Sequence, residues 1–435
     1  MKAFAAVIIT IVTSLFFFPF NSSLLPAVNT KLALSLVGLL FFAYQGFKLG
    51  NAQVNRSLLS VTIWALGVSF VCLASVIING TSDYTYVLYV ISAWVWLSAA
   101  YVVIQLIELT YGKVTLRLVT NFLIVVCVAQ CIISQLTNNN EAIANWVKSF
   151  VVSEGFMGIP KNRLYGIGCA LDVAGLKFCT VLILLSYFAV HPSGKISKSL
   201  ETTLYFLAFL IIGVFGAMIS RTTAVGIGLA IVLWLIYPIL YRKQGNDGYR
   251  PFLSSVILCC AILIPLASYL YDTNEGFHDN LRFGFEGFFS LIEKGKWEVR
   301  SNQMMMSMWV WPDNWHTWLF GDGYFSNPLE NNPFYIGPSF SEDFYMGTDI
   351  GYCRLIFYGG LAFLLVFSGY FVNCAYQCSI NNPQCWIIFW FILAVNFVGW
   401  CKVSSDIFPV YALLLWIPNS APLEKQKILS YLHPV

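Results

Sequence analysis

Charge is scarce in this chain. Its 435 residues include 24 Lys and Arg, 21 Asp and Glu and 4 His, so 10% are charged, whereas a soluble domain carries about 25%. With 58% hydrophobic residues and a mean hydropathy of +0.72, the composition excludes water as the main solvent. The net charge of +3, without any long Lys/Arg block, gives a nucleic acid nothing to bind. The HExxH zinc signature, the phosphate-loop glycine pattern and the nucleophile elbow are absent, as are low-complexity segments and internal repeats. The 12 cysteines lie mostly within apolar runs (Cys72, Cys127, Cys131, Cys179, Cys259, Cys260, Cys401) and read as buried soft hydrophobes. Cys374, Cys378 and Cys385 have no nearby His, so neither a metal nor a cofactor is expected.

Long apolar runs dominate what is there. A helix rises about 1.5 Å per residue through a hydrocarbon layer of about 30 Å, so a span needs roughly 20 residues. Twelve runs approach that length, near 3–20, 31–49, 57–79, 84–109, 118–136, 171–190, 203–219, 223–241, 252–271, 350–371, 385–401 and 405–418. The last two are short. The run after Lys2 imitates a signal peptide but ends in FFFPFN without a small-residue cleavage pattern, and counts as the first span. The expected fold is an all-α polytopic integral membrane protein, a single membrane domain over 1–435 with about twelve helices.

Orientation follows from the short connections, because the cytoplasmic side holds the excess of Lys and Arg. Lys2, Lys48, Arg56, Lys113, Arg117, Lys195, Lys198, Arg242, Lys243, Arg250, Lys425 and Lys427 all fall on one side if both termini are cytoplasmic. Two long loops then face outward, 137–170 and 272–349, the larger between the ninth and tenth helices. The larger loop carries twelve acids against four bases. Its segment FGFEGFFSLIEKGKWEVRSNQMMMSMWVW is too apolar for disorder and predicts one or two short helices at the membrane surface.

Three clusters could carry chemistry. In MISRTTAVGIGLAI, Arg221 sits where the seventh span meets the eighth. A helix start adds N–H groups and a positive dipole end that favour an anion, phosphate above all; the alternative is a turn arginine snorkelling to head groups. In IPKNRLYGIGCALDVAGLKF, Arg163 precedes the sixth span. Its fork could grip a phosphate through two parallel hydrogen bonds, so that two arginines clamp one pyrophosphate; otherwise it faces water. Asp172 and Lys177 lie further in, Asp172 as a substrate contact or the two as a partly buried ion pair. The third cluster is LFGDGYF, with Asp322, and SEDFYMGTDIGYCRLIFYGG. Here Asp349 could take a proton from a sugar hydroxyl or, like Thr348, cap the tenth span. Arg354, about a turn deeper, should face a wet or protein interior. The tryptophans at 309, 311, 315 and 318, with Tyr324, Phe334 and Tyr335, read as an interface belt or as sugar-stacking surfaces.

Read in order, NRLYGIG, SRTTAVGIG, LFGDGYF and TDIGYCRLIFYGGLAFLL resemble the bacterial O-antigen polymerase and ligase superfamily, and its Wzy-type polysaccharide polymerases in particular, over roughly residues 160–370. The resemblance implies a metal-independent glycosyltransferase at the outer face of the inner membrane. It would use an undecaprenyl-pyrophosphate-linked oligosaccharide as donor and make O-antigen or capsular polysaccharide. It also implies membrane lipid and a chain-length regulator as partners. By the same analogy Arg221 and Arg163 hold the pyrophosphate, Arg354 assists, and Asp172 and Asp322 contact substrate. The ligases of the family place a His and a small polar residue where this chain has Thr348 and Asp349, which favours a polymerase and leaves the general base open. A ligase acting on lipid A core, or a lipid-linked oligosaccharide flippase, are the competing readings.

Overall fold

Helices form where the apolar runs are, and the turns between them carry the expected stop signals. The computed structural model describes residues 2–23, 25–49, 55–152, 163–194, 196–240, 249–327 and 344–418. The predicted features at Lys161, Lys195, Arg242, Lys243, Asn331, Phe334, Tyr335, Lys425 and Lys427 lie outside those residues. In chain order the helices begin with α1 (Lys2–Phe17), α2 (Thr30–Leu49), α3 (Arg56–Asn79), α4 (Tyr89–Tyr111), α5 (Leu116–Asn139) and α6 (Glu141–Phe150). Next come α7 (Leu171–Val190), α8 (Lys198–Ile219), α9 (Thr223–Leu240) and α10 (Tyr249–Thr273). Four short helices follow, α11 (Glu275–Gly284), α12 (Glu286–Lys294), α13 (Arg300–Ser307) and α14 (Trp315–Phe320). The chain closes with α15 (Gly351–Asn381), α16 (Trp386–Gly399) and α17 (Phe408–Leu415). Asn55 caps α3 by accepting from Ser57 N at 3.2 Å, and Gly80 ends it in the left-handed region at φ 62, where a side chain is disfavoured.

Among the described residues, eight helices are long and apolar enough to cross a membrane, and α1, α9 and α16 are shorter apolar helices. The chain is an all-α, multi-pass membrane protein. Its apolar surface points outward: Phe47, Leu40 and Phe70 are 94%, 73% and 72% exposed, which suits lipid and not water. α7 lies at the centre. Every residue from Ala174 to Val190 is buried, because α5, α8, α9 and α16 surround it.

The segment 283–311 holds two short helices, α12 and α13, as its composition predicts, and among the described residues α11 and α14 flank them. The four are only 6 to 10 residues long, too short for a helical period to stand out in sequence. One small sheet also forms. β1 (Asn21–Ser22), β2 (Leu25–Asn29) and β3 (Val151–Val152) pair antiparallel in the order β2-β1-β3, tying the α1–α2 connection to the end of α6.

α15 extends ten residues beyond its apolar run and is broken. Gly359 (φ −142, ψ 17) and Gly360 (φ 66, ψ −169) interrupt it, leaving helical stretches 351–358 and 361–381. The carbonyls freed at the break are satisfied by the G-D-G turn: Asp322 N donates to Phe357 O at 2.6 Å and Gly323 N to Tyr358 O at 3.2 Å. Asn79 Nδ2 donates to Gly321 O at 3.0 Å. Ser75 Oγ shares its one proton between Phe320 O at 2.6 Å and Tyr358 O at 2.8 Å. Non-helical backbone is tolerated in a span only where protein satisfies it in this way. A Cβ on Gly360 would lie 2.2 Å from Leu319 O, in a conformation almost closed to other residues. Gly360→Ala should therefore cost about 3 kcal/mol or more. Gly80→Ala, with nothing within 4 Å, should cost about 1 kcal/mol. Thermal aggregation midpoints of the two purified variants test the contrast.

Candidate functional site

The turn between α8 and α9 is held by one carboxylate. Asp172 Oδ1, at the start of α7, accepts from Ser220 Oγ at 3.0 Å and Thr222 Oγ1 at 2.6 Å. It also pairs with Lys402 Nζ at 2.8 Å. The turn can come this close because residue 175 is glycine: a Cβ there would meet Ser220 Oγ at 2.6 Å. Bonded on both flanks, the turn holds Arg221 against α11, α12 and α13. The partly buried ion pair that Asp172 makes is with Lys402 and not with Lys177, whose Nζ donates to Phe17 O at the end of α1. Asp172 and Lys177 are five residues apart and do not share a helical face.

Arg221 reaches the α11–α13 strap. Its Nε donates to Phe283 O at 2.9 Å and its Nη1 to Ser301 Oγ at 3.0 Å, and Nη2 lies 2.8 Å from Glu286 Oε2. The guanidinium sits 4.1 Å from the centroid of the Phe283 ring, and that of Arg163 sits 5.0 Å from the same ring, within cation–π range. Two arginines 58 positions apart thus converge on one phenylalanine. Burial holds both guanidiniums below their ordinary pKa, and the neighbouring charge of Arg163 adds to the effect on Arg221 while Glu286 opposes it.

Both arginines line a cavity of about 790 Å³ together with Arg282, Lys294 and Arg300. Carboxylates offset three of these five cations: Arg221 pairs with Glu286, Arg282 with Glu293 at 2.8 Å, and Lys294 with Glu298 at 2.9 Å. Arg163 and Arg300 have no carboxylate partner among the described residues, and Arg163 Nε is buried without a hydrogen bond there. A buried, unmatched donor of that kind is costly unless an anion or water meets it.

Asp349 stands just before α15 and caps nothing. The residue preceding the helix is Ile350, without a side-chain cap. Thr348 Oγ1 instead accepts from Ile350 N at 3.2 Å and donates to Met308 O at 2.6 Å. Asp349 makes no hydrogen bond or ion pair among the described residues. Burial raises its carboxyl pKa to about 6; Arg354 and Lys402 pull it down and Asp172 pushes it up.

Asp349, Arg354 and Asp322 are not among the residues lining the arginine-lined cavity. Arg354 donates to Ser404 Oγ at 3.1 Å and Phe325 O at 2.9 Å, between the rings of Phe325 (3.7 Å) and Phe344 (4.4 Å). It does face the protein interior, and its Nε is buried without a partner among the described residues. Asp322 accepts from Thr317 Oγ1 at 2.5 Å and Tyr345 OH at 3.0 Å, which fixes the turn that fills the α15 break. Trp311 and Trp318 stack on each other, 5.8 Å apart. No three His, Cys, Asp or Glu side chains gather as a metal site among the described residues.

No family model matches this chain, and no curated protein matches it in sequence. The site is therefore read from its own geometry. That geometry adds Phe283, Glu286, Ser301, Lys402 and Ser404 to the residues singled out from sequence. Lys402 and Ser404 did carry a signal, since CKVSSD interrupts two apolar runs each too short to span alone. Phe283 carried none within an aromatic-rich stretch.

Proposed function

We propose that the protein is a metal-independent glycosyltransferase that joins lipid-pyrophosphate-linked oligosaccharide repeat units into a surface polysaccharide. The observation that carries this reading is the convergence of Arg163 and Arg221 on Phe283 within a cavity that holds further cations. In such a transfer the bond from the anomeric carbon to the phosphate oxygen breaks, and an acceptor hydroxyl forms the new glycosidic bond. Negative charge develops on the departing pyrophosphate, where preorganised guanidiniums stabilise it. The hydroxyl proton goes to a base, and Asp349, buried enough to be poised near neutrality yet capping nothing, suits that task. The donor is an undecaprenyl pyrophosphate in this reading and the membrane the bacterial inner membrane, both as the resemblance to the O-antigen polymerase and ligase superfamily implies.

About twelve spans, with both termini cytoplasmic and the α11–α14 segment on the outer face, complete the reading. α1, α9 and α16 would then serve as shorter spans, and the apolar run 405–418, of which the eight-residue α17 is the helical part, as the twelfth. The excess of Lys and Arg on one set of short connections supports that orientation. Lys296→Cys, at an exposed position, should label with an impermeant thiol reagent on intact spheroplasts above the background of the parent; labelling only after lysis reverses the topology. The function is tested by the gel profile of surface polysaccharide in a deletion strain with and without the protein restored. Loss of the long ladder with single repeat units still attached fits a polymerase. Accumulation of long lipid-linked polymer that is never attached makes the protein a ligase, and repeat units trapped at the cytoplasmic face make it a transporter.

A further inference from the structure

A second, smaller cavity of about 300 Å³ opens beside the first and shares Arg221 with it. Arg221 and Lys402 are the cations in its lining, with Glu286 and Ser301, which hold Arg221. The rest of its wall is mainly apolar: Ala224 and Val225 of α9, Val398 of α16, and Phe288, Trp297 and Met305 from the strap. Val398, Phe288 and Trp297 are 43%, 52% and 52% exposed, so the slot is open along the flank of two apolar helices. Such a cleft matches an amphiphile whose anionic head meets the cations while its chain runs out between α9 and α16. Neither an oligosaccharide nor a free nucleotide has that polarity.

We infer that this slot seats the first part of the isoprenoid chain of the donor, and that Lys402, oriented by Asp172, is a second grip on its phosphates beside Arg221. The inference rests on the lipid-pyrophosphate reading above and adds where the lipid lies. The donor then loads sideways from the bilayer, its head group delivered to Arg221 at the wall between the two cavities. Asp172 has a double role in this arrangement: it holds the turn that carries Arg221 and sets the position of Lys402, so the two cations keep a fixed spacing. Filling the slot should cost lipid affinity alone. Removing Lys402 should cost phosphate affinity whether or not a chain is attached.

The test uses the full chain in phosphatidylcholine nanodiscs, with inorganic pyrophosphate and farnesyl pyrophosphate as probes in calorimetry. The parent should bind the farnesyl compound about tenfold more tightly or better. Val398→Trp, and independently Ala224→Phe, should erase that preference and leave inorganic pyrophosphate affinity unchanged, which also shows that these variants are folded. Lys402→Ala should weaken both probes by about tenfold. Equal affinity of the parent for the two probes, or a preference that survives both slot-filling variants, overturns the slot and leaves the phosphate site standing. Competition by phosphatidylglycerol as strong as by farnesyl pyrophosphate makes it a general lipid groove and overturns the assignment. Failure of the parent to bind either probe removes the phosphate reading itself.

Discussion

Arg221→Ala should abolish long polymer while the protein accumulates at the parent level, and in a reconstituted assay turnover should fall by about 100- to 1,000-fold, the usual cost of losing one preorganised group at a developing charge. The size of the effect follows from how the side chain is held. Asp172 bonds both flanks of its turn, and Phe283 O and Ser301 Oγ fix its fork, so the charge is in place before the leaving group departs and needs little reorganisation. Arg221→Lys keeps the charge but loses the planar fork, and should recover part of the activity. The alanine variant also leaves Glu286, about one-third exposed, without its cation. A double variant with Glu286→Gln removes that repulsion and separates structure from catalysis: polymer that stays lost while protein level is normal assigns the arginine to the reaction, whereas normal polymer length in Arg221→Ala removes it from the site.

How much of this was legible in sequence differs by element. The span over 171–190 coincides with α7 residue for residue, because its apolar run ends in turn-forming residues on both sides. α15 runs on to Asn381, where VNCAYQCSIN is too polar for a hydropathy reading although still helical; hydropathy measures solvent preference and not hydrogen bonding. The glycines of LFGDGYF and of the tenth span could be read off the sequence, but the break at Gly359–Gly360 and its fit to the G-D-G turn are a contact between segments nearly 40 residues apart. Arg163 and Arg221 stood out as charges in an apolar chain, and a joint grip on one anion was a fair expectation. The ring they share comes from α11, and only tertiary structure could supply it. The same is true of Lys402 as the partner of Asp172, since 230 residues separate them.

Asp349→Asn should remove activity and at the same time stabilise the protein. As a general base the carboxylate must be ionised, so activity of the parent should fall about tenfold for each unit of pH below the pKa of about 6 that burial produces. Stability moves the other way. A free aspartate titrates near 3.8 and Asp349 near 6, so the folded protein binds an extra proton between those values and loses stability as pH rises through that window. Asparagine carries no charge at any pH. The variant should therefore exceed the parent in thermal stability at pH 7, by on the order of 1 to 3 kcal/mol, and match it below about pH 4. A residue kept only for folding would show the reverse, a loss of stability on replacement. Activity that persists undiminished in Asp349→Asn, or a parent profile flat from about pH 5 to 8, assigns the base to another group. A stability gain together with inactivity is the pattern of a charge held in an unfavourable place because the chemistry requires it there.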